Sequence, residues 1–253
     1  MISKACHAFE QKLIYFENDL ELIDVLSLAI SDNTLTPASD SEFVLKYINP
    51  ELHKRLARRR NSHTSRLQLI NHLRQSIYSS YIKDVYEEVT CYFRIMMEKY
   101  FKGNIDSARV IGEHTLKLDA KAVLALGNWD AVCRHVASSV LQSLEAERST
   151  LALFKKVKNK LGIEIDDSMI DEALPYLEVR HFLVHSDGVL SAEFIGQYPF
   201  IELSANNVIK LTPDFIKNLT TKTKKIIRHY DKQIIRRNVL LQEDIAGSRT
   251  SPS

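Results

Sequence analysis

From about Ser65 to Phe101 the apolar residues recur mostly at steps of three and four: Leu69, Ile70, Leu73, Ile77, Tyr81, Val85, Val89, Tyr92, Phe93, Met96 and Met97. That is the period of a helix with one apolar side. A helix of roughly ten turns can bury such a side only against other helices or a sheet. Composition points to helices. Gly and Pro number only 7 and 6 in 253 residues, and 45% of the residues are hydrophobic, enough for a sizeable core. Low Gly and Pro with abundant Leu, Ile, Lys and Glu favours helices over a turn-rich β fold.

The remaining segments are punctuated in the same way. Residues 1–31 are periodic through Leu13, Phe16, Leu20, Leu22, Ile23 and Leu26, as one or two helices. Ser31–Ser41 is a polar loop containing Pro37, and Glu42–Ile48 is expected as a short helix ended by Pro50. Lys102–Gly103–Asn104 stops the long helix. Ala120–Leu126 is a candidate short helix. Asn128–Trp129–Asp130 starts the next helix, and His135–Leu161 continues as one or two, closed by Gly162. Asp166 or Asp167 caps a helix over Asp166–Val184 that Asp187–Gly188 ends. The period then changes. Phe200–Leu203 and Val208–Leu211 are expected as a short β-hairpin turning at Asn206–Asn207. Thr212–Pro213–Asp214 opens a last helix running to about Leu241. This predicts a mainly α chain: a helical extension over 1–60, a helical domain over 61–241 with a hairpin near 200–211, and a disordered tail over 242–253.

One segment carries chemistry. With Arg180 at 0° and about 100° per residue, His181 falls near 100°, His185 near 140° and Glu178 near 160°. Val179, Phe182 and Leu183 take the opposite arc, at roughly 200–300°. Val184 sits at about 40°, an apolar residue inside the polar arc, which points to a face that is partly covered. An imidazole titrates near neutral pH and moves protons. A guanidinium binds phosphate oxygens bidentately and stabilises developing charge. Together they suit deprotonation of a ribose 2′-hydroxyl and stabilisation of the phosphorane without metal. Arg and His near a helix C-terminus are also favourable through the helix dipole alone.

The stretch Leu177–Glu178–Val179–Arg180–His181–Phe182–Leu183–Val184–His185–Ser186–Asp187–Gly188–Val189 resembles the signature of the HEPN superfamily: Arg, a polar residue, three mostly apolar residues, then His. The Ser–Asp–Gly–Val that follows resembles its RiboL-PSP-HEPN branch. Tyr86–Arg94 resembles the aromatic-rich first core helix of that superfamily, and the resemblance covers roughly residues 65–240. It implies a helical bundle that dimerises around a shared cleft. It also implies a metal-independent endoribonuclease of toxin, CRISPR or phage-defence type, with Arg180 and His185 as the catalytic pair and His181 in the place usually held by Asn. Other members only bind. Two positions depart from the pattern. Thr90 stands where several relatives have an acidic residue, with Glu87 and Glu88 close by. Asp187 stands where nucleotidylated toxins carry a Tyr, so that mode of control is not supported.

The basic stretch Lys54, Arg55, Arg58, Arg59, Arg60 and Arg66 suits RNA phosphates or a solvated face. The same holds for Lys222, Lys224, Lys225, Arg228, Lys232, Arg236 and Arg237. Glu164, Asp166, Asp167, Asp171 and Glu172 fit a helix N-terminus better than a metal site. Cys6, Cys91 and Cys133 lack metal or disulfide spacing and read as buried free thiols. His114, His135 and the other scattered His show no ligand spacing, and Gly103, Gly112, Gly127 and Gly162 form no phosphate loop. No cofactor or metal is expected. The net charge of +2 decides nothing about partners. No apolar run nears the roughly 20 residues of a membrane span, and Met1–Leu13 lacks a signal-peptide core. A cytoplasmic protein is expected. Two function classes remain: a HEPN-type endoribonuclease acting on RNA, as a homodimer with a possible antitoxin or defence partner, and a non-catalytic HEPN nucleic-acid- or protein-binding module in a defence or regulatory complex. The 1–60 extension suits either, as a partner or dimer element.

Overall fold

A computed structural model describes residues 1–37, 42–102, 119–145, 149–238 and 240–247. The stop at Gly103–Asn104, His114, Gly112, residues 38–41 of the polar loop and residues 248–253 of the tail lie outside them. The described chain is mainly helical: α1 Lys4–Ser31, α2 His63–Lys102, α3 Ala120–Ala125, α4 Trp129–Glu145, α5 Thr150–Leu161, α6 Asp167–His185, α7 Ala192–Gln197 and α8 Pro213–Arg236. It divides into two compact units, Ile14–Tyr81 and Met1–Leu13 with Ile82–Ser253.

The larger unit is built on an aromatic centre. Phe93 of α2 packs edge-on against Phe154 of α5, with ring centroids 5.1 Å apart, and lies 5.1 Å from Tyr230 of α8. The Tyr230 hydroxyl donates to the Phe154 carbonyl at 2.8 Å, which satisfies a polar group that burial would otherwise penalise. α6 packs against both α5 and α8, and α4 packs against α5. Ala173, Leu174, Pro175, Tyr176 and Leu177 are all buried in succession, so the middle of α6 is enclosed on every side. A helix surrounded in this way shows little amphipathic contrast in its sequence. At its two ends, around Asp167–Glu172 and beyond Val179, one side of α6 opens to solvent.

The helix ends follow their sequence signals. Asp166 caps α6 by accepting from the Ser168 N–H, Ser149 caps α5, and Thr212 caps α8 ahead of Pro213. Gly162 closes α5 in the left-handed conformation.

The structure differs from these expectations at five points. The segment over 42–48 is not helical. Phe43 bridges Arg60 in antiparallel fashion, and the Val44 and Asn61 amides donate to Arg59 and Glu42 carbonyls, so this backbone is satisfied across the chain. Over 200–211 no strand forms among the described residues. Single bridges join Leu203 to Ile209 and Val189 to Val208, and Ala205–Asn207 make a 3-10 turn. Asn206 and Asn207 adopt positive φ as a tight turn requires, but the pairing ends after one rung on either side. The division is not at residue 60: Met1–Leu13 belongs with the larger unit, because the Ser3 amide and hydroxyl donate to Asp231 of α8. The last helix ends at Arg236, where Asn238 takes positive φ. Within the expected tail, residues 242–247 are described and tied to the rest of the larger unit. Ile245 is buried and bridges Ser3, Ala246 donates to the Ile2 carbonyl, and Asp244 pairs with Lys99 at 2.6 Å.

In the smaller unit the two helices meet through Arg74 and Asp24 at 3.4 Å. Its basic stretch is partly occupied: Arg60 lies over the Phe43 ring, and Arg66 donates to Asn61 at 2.6 Å. No helix among the described residues is long and apolar enough to cross a membrane.

Candidate active site

The exposed end of α6 brings Arg180, His181 and His185 to one cleft of ≈ 310 Å³, lined also by Tyr86 of α2, by Leu177, and by Ser149 and Thr150 at the start of α5. His181 and His185 stand one helical turn apart with ring centroids 4.8 Å apart. The Arg180 guanidinium lies over the Tyr86 ring, 4.9 Å from its centroid. At that distance the cation and the ring quadrupole attract, which limits the rotamers open to a long side chain. The polar arc of the sequence is therefore a real surface, with two imidazoles and one guanidinium facing common space.

The opposite arc anchors it. Val179 is fully buried, and the Phe182 ring packs at a tilt against Phe194 of α7 with centroids 4.8 Å apart. Val184 is 43% exposed. Below His185 the backbone is tied down twice. The Ser186 and Gly188 amides both donate to the Phe182 carbonyl, and the Gly188 carbonyl accepts from Ile209. Gly188 has φ +81°, and a Cβ there would stand 3.4 Å from the Ile209 side chain, so the turn requires glycine. The Ser–Asp–Gly–Val stretch thus fixes the direction in which His185 leaves the helix.

Glu178 plays a part the wheel did not show. The backbone N–H groups of Thr150 and Leu151, at the start of α5, donate to its carboxylate. Burial pushes its pKa up, and those two hydrogen bonds oppose the shift. Glu178 therefore fastens the first turn of α5 to α6, holding Ser149 and Thr150 beside the imidazoles, and it is not among the residues that line the cleft. Thr90 donates to the Glu87 carbonyl, and neither of these nor Glu88 lines the cleft.

The site residues that sequence reasoning missed are Tyr86, Leu177, Ser149 and Thr150. Only the cap pattern at Ser149 left a local trace.

The acidic group before α6 is used in caps and ion pairs. Asp167 meets Lys158 at 2.6 Å, and Glu172 takes Lys222 at 2.7 Å and Lys225 at 3.1 Å. Among the described residues no group of three or more His, Cys, Asp or Glu is placed to hold a metal ion. Cys6 and Cys133 are buried, Cys91 is half-buried, and burial pushes the Cys6 thiol up to about 12. The chain matches no family model, no curated protein and no solved structure.

Proposed function

We propose that this chain is a metal-independent endoribonuclease of HEPN type, working as a toxin or antiviral defence effector. The observation that supports it is the convergence of Arg180, His181 and His185 on a single cleft. In this reading His185 takes the proton of a ribose 2′-hydroxyl as its oxygen attacks the adjacent phosphorus. Arg180 binds the non-bridging oxygens and stabilises the charge that builds there. His181, one turn away, is placed to hand a proton to the departing 5′-oxygen. The products are a 2′,3′-cyclic phosphate and a free 5′-hydroxyl.

The test is incubation of the purified protein with total RNA in EDTA. Cleavage is the expected result. A strict need for Mg²⁺ overturns the mechanism, and no cleavage under any condition leaves the binding-module reading.

The same proposal makes the protein a homodimer with two motifs facing one cleft. Val184 supports this, as an apolar side chain exposed between Arg180 and His181 on the polar arc. Light scattering should give twice the mass of 29.0 kDa. A monomer at high micromolar concentration contradicts the shared cleft.

A further inference from the structure

The opposite end of α6 borders a second and larger depression, of ≈ 650 Å³, whose wall is the outer side of α8. Lys224, Lys225, Arg228, His229 and Lys232 line it, with Met169 contributed by α6. We infer that this groove tracks the phosphate backbone of single-stranded RNA. The choice of RNA as the polyanion rests on the ribonuclease reading above; the groove itself does not.

Three observations carry the inference. First, the cations follow one helix face at steps of one, three and four residues, so they form a row and not a scatter. From Lys224 to Lys232 the row is about 12 Å long, which matches roughly three to four phosphates of a stacked strand. Second, two of the helix's cations share a single carboxylate: Lys222 and Lys225 both donate to Glu172, while Arg228 pairs with Glu10. The Glu172 pairs sit at the surface, where phosphates can replace the carboxylate. Third, His229 lies half-buried among the cations. Burial and the charges of Lys232 and Arg236 lower its pKa, while Asp166 acts weakly the other way. A neutral ring in a cationic groove is a surface on which a base stacks.

A membrane fits less well. The apolar side of α8, including Leu219, Ile226, Tyr230 and Ile234, is buried and leaves nothing to insert. Met169 and His185 lie about 24 Å apart along α6, a span of roughly seven nucleotides. A strand seated in the groove and reaching the cleft would therefore be longer than that.

The test uses the full chain carrying His185→Ala, so that RNA stays intact, and a fluorescein-labelled oligouridylate of about 12 nucleotides. Affinity is measured against salt by anisotropy. Replacing Lys224, Lys225 and Lys232 together by Gln should weaken binding at least tenfold. It should also lower the log–log salt slope by about 2, because each single-strand phosphate contact contributes about 0.7. Lys217→Gln, on the same helix but outside the groove, should leave the slope unchanged. An unchanged slope in the triple variant overturns the proposal. So does polyglutamate that competes as well as RNA, which would mark an acidic protein as the occupant. Loss of the ribonuclease reading shows differently, as wild-type protein that cuts nothing.

Discussion

Arg180→Ala and His185→Ala should each lower RNA cleavage by roughly 10²–10⁴ while leaving the chain folded. The geometry separates these two effects. His185 is exposed and Arg180 half-buried at the open end of α6, opposite the buried Val179. Truncating His185 opens no core cavity, so its stability cost should stay within about 0.5 kcal/mol. Arg180 also rests on Tyr86, and losing that contact should cost about 0.5–1 kcal/mol more. Neither cost approaches the 5–15 kcal/mol that typically holds a domain together. Cleavage assays and urea titrations on the same preparations check both halves. Unfolded variants would make Arg180 and His185 structural. Folded variants with wild-type rates would remove them from the chemistry.

The largest stability effect is expected far from the cleft, at Asp231. This carboxylate is fully buried on α8 and accepts from the Ser3 amide at 2.8 Å, the Ser3 hydroxyl at 2.5 Å and the Tyr92 hydroxyl at 3.2 Å. Asp231→Ala leaves these buried donors without their acceptor, at about 3 kcal/mol in total. Asp231→Asn should recover only part, since its amide puts a donor where Asp231 had an acceptor. Burial raises the Asp231 pKa above the ordinary 3.8, and the hydrogen bonds from Ser3 and Tyr92 oppose the shift. A group raised on folding binds protons more tightly in the native chain. Its contribution is complete below the ordinary value and is lost as pH rises through the folded one. The penalty of Asp231→Ala should therefore shrink as pH climbs through that window. Chemical denaturation at several pH values measures it. A penalty that grows with pH would mean that hydrogen bonding outweighs burial.

The Asp231 network also shows where sequence reasoning reached its limit. Asp231 and Ser3 are separated by 228 positions, and no local pattern ties them. The expected boundary at residue 60 failed for the same reason, because the first turns of α1 belong to a distant helix. Local signals served well wherever the chemistry was local. Asp166, Gly162 and the Thr212–Pro213 pair each announced a helix end, since caps satisfy orphan amides and carbonyls of their own turn. The hairpin expectation over 200–211 read the two Asn correctly as turn formers. It overestimated the pairing, because β propensity depends on partners that a sequence does not display.

The candidate site was legible in the same proportion. The helical wheel placed Arg180, His181 and His185 on one arc, and all three line the cleft. It also placed Glu178 there, where the start of α5 takes up the carboxylate instead. Tyr86 is 94 positions from Arg180 and could be found only once α2 was packed. The basic rows on α8 and before α2 were visible as composition. Only the packed structure shows that the first lines a groove.

Product-end chemistry tests the central claim most directly. A defined RNA oligonucleotide is cut by the wild-type chain in EDTA, and the fragments are weighed by mass spectrometry. Attack by the ribose 2′-hydroxyl predicts a 2′,3′-cyclic phosphate on the upstream fragment, with no cleavage where that nucleotide is 2′-deoxy. A 3′-hydroxyl with a 5′-phosphate, or equal cleavage at the 2′-deoxy position, would contradict the roles given to Arg180 and His185.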